Sequence, residues 1–131
     1  MRNRKIDTIK KDINRYFGYL FNKGFKFHRV EYSPQFFGNW VVELEAPNCM
    51  MYLTDDRNWL ILEFCSTNNL DVNNRVSIEK MIFILSDGKV TIEPYTGNRA
   101  WGKKKQLRRL SDLLETNIDE IMIYFNTVVE H

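Results

Sequence analysis

The order of patterns in this sequence predicts an α+β protein: an N-terminal helix, an antiparallel sheet of about four strands with room for more, and C-terminal helices packed on one face. Three observations carry that prediction. Apolar residues recur every three or four positions over 6–21 and again over 107–125, the spacing of a helix with one buried side. Residues 40–46 alternate apolar and polar, the spacing of a half-buried strand. Two further apolar runs flank a polar turn at 55–58, which reads as a hairpin. Strands grouped together, with helices segregated to the ends, indicate an antiparallel sheet rather than repeated βαβ units.

The first helix rests on Ile6, Ile9, Ile13, Tyr16, Phe17, Leu20 and Phe21, with Lys10, Lys11, Asn14 and Arg15 between them. Gly24 lies just past the last periodic residue, where a left-handed cap ends a helix without a Cβ penalty. Phe25 and Phe27 open a short strand, and "SPQFFGN" (33–39) is a loop by its Pro, Gly and Asn. In "NWVVELEA" Trp40, Val42, Leu44 and Ala46 share one face, and Val41, Glu43 and Glu45 the other. A Pro47-Asn48 turn leads to "CMMYLT" (49–54), the charged turn "DDRN" (55–58) and "WLILEFCS" (59–66). That last run is apolar on both faces apart from Glu63, which predicts a central strand. "TNNLDVNNR" (67–75) is a polar loop.

Residues 77–95 support two readings. Asp87-Gly88 between "MIFIL" and "VTIEP" is a hairpin signal. Ser77 as a cap, with Ile78, Met81, Ile82 and Leu85 on one stripe and Gly88 closing, is a helix signal, and the helix is preferred. Beyond it, Val90–Tyr95 is a candidate strand. Leu107, Leu110, Leu113 and Leu114 make an amphipathic helix, and Thr116 is expected to cap a second one carrying Ile118, Ile121, Met122, Tyr124 and Phe125.

The chain of 131 residues, with 44% hydrophobic and 14% aromatic content, is expected to form one domain over 1–131 with a real core rather than a disordered tail. Its longest apolar run, Met81–Leu85, falls far short of the ~20 residues of a membrane helix, so no membrane partner is expected. The basic start lacks a small-residue cleavage site, so no signal peptide is expected. Cys49 and Cys65 do not make a disulfide framework; they flank one hairpin and have room to approach each other, and a reducing cytoplasm is the expected compartment.

The net charge of +2 hides strong segregation. Nine Lys or Arg lie between Arg2 and Arg29, against Asp7 and Asp12. Six acids and only Arg57 lie between Glu31 and Glu63. Six bases and no acid fall between Arg99 and Arg109, then five acids and no base between Asp112 and Glu130. Such blocks either pair with each other inside the fold or present separate surfaces to a charged partner.

Residues 97–104, "GNRAWGKK", match the G-x-x-x-x-G-K part of a phosphate-binding loop. Lys104 stands where the Mg²⁺-binding hydroxyl belongs, Arg99 and Trp101 crowd the loop interior, and no βαβ units surround it, so no nucleotide site is expected. The basic patch remains: Arg99, Lys103, Lys104, Lys105, Arg108 and Arg109 beside Trp101. Lysines opening a helix oppose its macrodipole, so helix stability does not account for them. Three readings stay open: Trp101 in the core with lysines solvating the loop, an acidic protein partner, or single-stranded nucleic acid stacked on Trp101.

No metal or cofactor is expected, because His28 and His131 are the only histidines and neither lies at ligand spacing from a cysteine. Glu43 with Glu45, and Asp55 with Asp56, allow a paired-carboxylate acid/base site to be drawn, but a strand face and a polar turn also explain them.

The segments "YLFNKGFKFHRVEYSPQFFGNWVVELEAPNCMMYLTDDRNWLILEF" and "LRRLSDLLETNIDEIMIYF" resemble small bacterial proteins of the toxin-immunity type. The shared layout is a helix passing through "GF" into a strand, an "FGN" opening of the next strand, its partner after a charged turn, and a Leu-rich closing helix. The resemblance implies a non-catalytic cytoplasmic antidote that binds and blocks a toxin domain. It transfers no catalytic or binding residue. The candidate partner-binding residues are therefore the charged ones and the tryptophan beside them: Glu43, Glu45, Asp55 and Asp56 for a basic toxin, or Arg99, Trp101, Lys103, Lys104, Lys105, Arg108 and Arg109 for an acidic one. The alternatives are a nucleic-acid-binding accessory protein using 99–109 and a small enzyme with a carboxylate site.

Overall fold

The structure is a computed structural model and describes residues 3–98 and 102–129. Asn3 starts the first helix, α1 (Arg4–Phe17), by accepting hydrogen bonds from the Lys5 and Ile6 amides at 3.0 and 3.1 Å. Ile9, Ile13 and Phe17 are its buried stripe. The helix tightens at Gly18 into a 3-10 turn (Gly18–Lys23), so Gly24, at φ 98°, caps that turn rather than an α-helix.

Four long strands follow: β1 (Lys26–Ser33), β2 (Asn39–Glu45), β3 (Cys49–Asp56) and β4 (Trp59–Ser66). A fifth, β5 (Val76–Ser77), adds to the four expected. The sheet runs β1-β2-β3-β4-β5, antiparallel throughout. Inward residues Trp40, Val42 and Leu44 of β2 are buried, as their alternation predicts. The turn at 55–58 is tighter than the sequence suggested. Asp55 and Asp56 belong to β3, and only Arg57 and Asn58, at φ 51° and 69°, make the connection. Two central residues at positive φ describe the turn whose twist matches the flanking strands. Asn39 Oδ1 accepts from Arg57 N and Asp55 Oδ1 from Asn58 N, both at 2.8 Å, which holds it.

β4 has a partner strand on each side, as its two apolar faces suggested, although one of the two is short. β5 pairs with it only at Glu63↔Ser77 and Phe64↔Val76. The irregular segment 89–98 flanks the rest of that edge, with Tyr95 packed edge-on against Trp59 at 6.3 Å. The strand expected at Val90–Tyr95 is absent for the same reason: the segment, with Pro94 lacking a donor, covers β4 instead of pairing with it.

Residues 78–85 are helical. α2 (Ile78–Leu85) is capped by Ser77, whose hydroxyl accepts from Lys80 N at 3.2 Å, and it buries Ile78, Met81 and Ile82. Asp87 and Gly88, at φ 54° and 77°, stop the helix instead of turning a hairpin, with Gly88 N donating to Phe83 O at 2.8 Å.

The closing segment is one helix, α3 (Lys103–Val129), not two. Thr116 is no cap; its hydroxyl donates back to Asp112 O at 3.0 Å in mid-helix. The buried stripe Leu107, Leu110, Leu114, Ile118, Ile121 and Phe125 passes Thr116 without a change of phase, so nothing breaks the helix there. α1, α2 and α3 share one core with the inward side chains of the sheet, and among the described residues no helix packs on the other face. Among the described residues no helix is long and apolar enough to cross a membrane. The two cysteines do not meet: Cys49 joins the helix-side core, Cys65 sits among Met50 and Tyr52 on the outer face, and both are free thiols.

Candidate functional site

The four acidic candidates do not form one strip. Glu43 and Glu45 share the outer sheet face, as their alternation predicts, but bases already occupy them. Arg29 Nε lies 3.0 Å from Glu43 Oε2, and His28 Nδ1 lies 3.3 Å from Glu45 Oε2. His28 reaches both because β1 changes register between Phe27 and Arg29, which sets this residue on a bulge. Asp55 points the opposite way and is 2% exposed. Asp56 contacts Arg57 Nε at 3.2 Å and accepts from Asn39 Nδ2 at 3.3 Å. Adjacent strand residues face opposite sides, so the paired carboxylates drawn at 55–56 are not a pair.

Asp55 instead answers the question of the lysines at the start of α3. Lys103 Nζ lies 2.6 Å from Asp55 Oδ2 and so ties the first residue of α3 to the end of β3. Beside it, Gln106 is 2% exposed; its Oε1 accepts from Leu60 N at 3.0 Å and its Nε2 donates to Asn58 O at 2.7 Å. Arg109 contacts Glu79 Oε1 at 3.5 Å and donates to Glu93 O at 2.7 Å. Two of the six bases are therefore structural. Lys104, Lys105 and Arg108 are exposed and make no ion pair among the described residues. Arg99 and Trp101 lie outside the described residues.

The glycines of "GNRAWGKK" also have a local account. The Tyr95 phenol lies where a Cβ on Gly97 or Gly102 would go, and it donates to Asn98 O at 3.3 Å. With Lys103 held by Asp55, the lysine of the phosphate-loop match is committed to the fold.

Other features escaped the sequence reading. On the outer face Arg75 lays its guanidinium 3.7 Å over the Tyr52 ring, and Tyr52 Oη accepts from the Cys65 thiol at 3.5 Å. Burial, with that thiol contact, pushes the Tyr52 phenol up to about 12, so it stays protonated at neutral pH. Burial also raises the Cys49 thiol well above its usual range, which makes it a poor nucleophile. The turn at 34–38 exposes Phe36 and Phe37, at 59% and 80%. A groove of about 720 Å³ runs between α2 and α3, lined by Ile82, Leu85, Val90, Ile92 and Leu113. Local spacing flagged none of these, because each depends on how the folded segments pack or leave a side chain uncovered. Among the described residues no group of three His, Cys, Asp or Glu side chains is placed to hold a metal ion.

No protein-family model, curated protein or solved structure matches the chain.

Proposed function

We propose that this chain is a non-catalytic cytoplasmic binding protein, an antidote of the toxin-immunity type, and that its partner is a protein domain with an acidic surface. The observation that carries the choice of partner is the unequal pairing of charges. Glu43, Asp55 and Asp56 each have a Lys or Arg within 4.0 Å and Glu45 has His28, whereas Lys104, Lys105 and Arg108 have no acid within that distance among the described residues. Charge already paired within a protein contributes little to an external field, while three cations clustered within about one turn of one helix attract an anionic surface and speed its capture. The rigid link from α3 to the β3–β4 turn through Lys103 and Gln106 supports the same reading, since it holds those cations in a fixed array. A blocking protein needs such an array and no reaction centre of its own.

A second reading uses the same cations. The α3 start and the turns at 34–38 and 57–58 lie at one end of the molecule, because Lys103 meets Asp55 and the Arg57 guanidinium sits 5.6 Å from the Phe37 ring. Exposed aromatic rings near unpaired bases suit single-stranded nucleic acid. Capture of the tagged protein's partner from host lysate separates the two. A stoichiometric protein that survives nuclease treatment and moderate salt supports the antidote. Nucleic acid that leaves with nuclease or with salt supports the second reading and removes the first.

A further inference from the structure

We propose that the outer face of the sheet, on which no helix packs among the described residues, is a twofold interface between two copies of this chain, closed by reciprocal ion pairs between Arg75 and Glu63. The cross-strand register sets Glu43 opposite Tyr52, and Tyr52 opposite Glu63. Glu63 in turn lies opposite Ser77, two residues after Arg75. Tyr52 is thus flanked on this face by Glu63 and by the Arg75 guanidinium stacked on its ring.

The two halves of the face differ in how their charges are used. On the β1–β2 side Arg29 bridges Glu31 and Glu43 at 2.9 and 3.0 Å, and His28 reaches Glu45 at 3.3 Å. On the β3–β4 side Arg75 and Glu63, both half-buried, make no ion pair with each other or with any described residue. The Nε of Arg75 is buried without a hydrogen-bond partner. A guanidinium left with a buried, unsatisfied donor loses hydration without recompense, and a half-buried carboxylate still has open sides for a cation to reach. On this side of the face, among the described residues, one cation and one anion thus stand unpaired near each other.

That pair is self-complementary. In an isologous interface, residue i of one copy meets residue j of the other, and j meets i. A twofold axis lying between the two facing sheets, parallel to them and passing over the midpoint between Arg75 and Glu63, lays each Arg75 on the other copy's Glu63, giving two pairs from one contact. The neighbouring row adds apolar cover, since Val41 and Ile61 are half-buried on the same face. Two sheets facing each other settle about 10 Å apart, within reach of these side chains.

The size of the face sets the strength. Strands of 7–8 residues at ~3.3 Å per residue, four of them ~4.8 Å apart, give a footprint of roughly 450 Å². A stable interface buries ~800 Å² per partner, so the dimer is a weak and reversible one. It does not compete with the anionic partner proposed above, because α3 lies on the opposite side of the sheet.

Sedimentation velocity over a concentration series tests this. The wild type shifts from monomer to dimer as concentration rises. Arg75→Glu and Glu63→Arg, each alone, weaken the association by roughly tenfold or more. The double exchange, Arg75→Glu with Glu63→Arg, restores it. Arg75→Gln and Glu63→Gln are measured alongside as milder changes with the same expected direction, and circular dichroism confirms that each variant is folded. A wild type that stays monomeric throughout overturns the proposal. So do folded single variants that associate as tightly as the wild type, or a folded double variant that does not recover.

Discussion

Gln106→Leu removes the two hydrogen bonds that fasten α3 to the β3–β4 turn while keeping most of the side-chain volume. In the folded protein Gln106 accepts from Leu60 N and donates to Asn58 O, at 3.0 and 2.7 Å. Leu60 is 6% exposed, so its amide has no water to replace the lost acceptor, and a buried donor left unmade costs ~1–3 kcal/mol. Asn58 is half-buried, so water recovers part of what its carbonyl loses, and that half contributes ~0.5–1 kcal/mol. The sum is a loss of ~1.5–4 kcal/mol, against a small gain from the added apolar surface. Gln106→Glu retains the acceptor for Leu60 N but sets a carboxylate against the Asn58 carbonyl, and it is expected to cost a similar amount. Urea unfolding monitored by circular dichroism reads both, with an unchanged m-value as the sign that only native-state contacts were lost. A Gln106→Leu variant within ~0.5 kcal/mol of the wild type would refute the reasoning, because that is the scatter of ordinary surface substitutions.

Three other outcomes follow from the same contacts. Thr116→Ala is expected to be neutral or slightly stabilising, since Thr116 sits inside α3 and Ala is the better helix former; a loss of ~1 kcal/mol would mark it as a cap after all. In a double-mutant cycle, Asp55→Asn and Lys103→Met should couple by more than ~1 kcal/mol, because removing one partner strands the other; additive losses would contradict the ion pair. The phenols of Tyr19 and Tyr52 are both raised, chiefly by burial, to about 12. A raised phenol favours the protonated form of the folded state, so its stabilising effect is complete below pH ~10 and is lost as pH rises towards ~12. Ultraviolet titration should show two of the six tyrosines ionising late, and unfolding midpoints should fall across that window; Tyr52→Phe should remove one late ionisation. Six tyrosines ionising together near pH ~10 would count against both burials.

Periodicity sufficed wherever a side chain's fate depends on near neighbours. The stripe Ile9, Ile13 and Phe17, the alternation Trp40, Val42 and Leu44, and the cap at Ser77 all stand as their spacing predicts. It failed where two local signals compete and a distant contact decides. Thr116 is a good cap residue, but a continuous apolar stripe beneath it keeps α3 unbroken. Val90–Tyr95 has strand-like residues, yet β5 takes only two residues of the β4 edge and the segment packs over the rest. The candidate sites show the same division. The segregation of charge was visible in the sequence, but which charges cancel was not. Asp55 and Lys103 lie far apart along the chain and meet only because α3 returns across the end of β3. Arg75 sits in what reads as a polar loop, and only the strand register brings it onto Tyr52 beside Glu63.

The central claim is that an acidic protein surface docks on the unpaired cations of α3. Its most direct test compares capture from nuclease-treated host lysate by the wild type and by the combined variant Lys104→Glu, Lys105→Glu and Arg108→Glu. These residues are exposed and hold no other element, so the variant should fold and unfold as the wild type does. The account predicts that the wild type retains one stoichiometric protein, more strongly at low than at high salt, and that the folded variant loses it. Equal retention by both proteins would contradict the claim and move the binding surface away from α3.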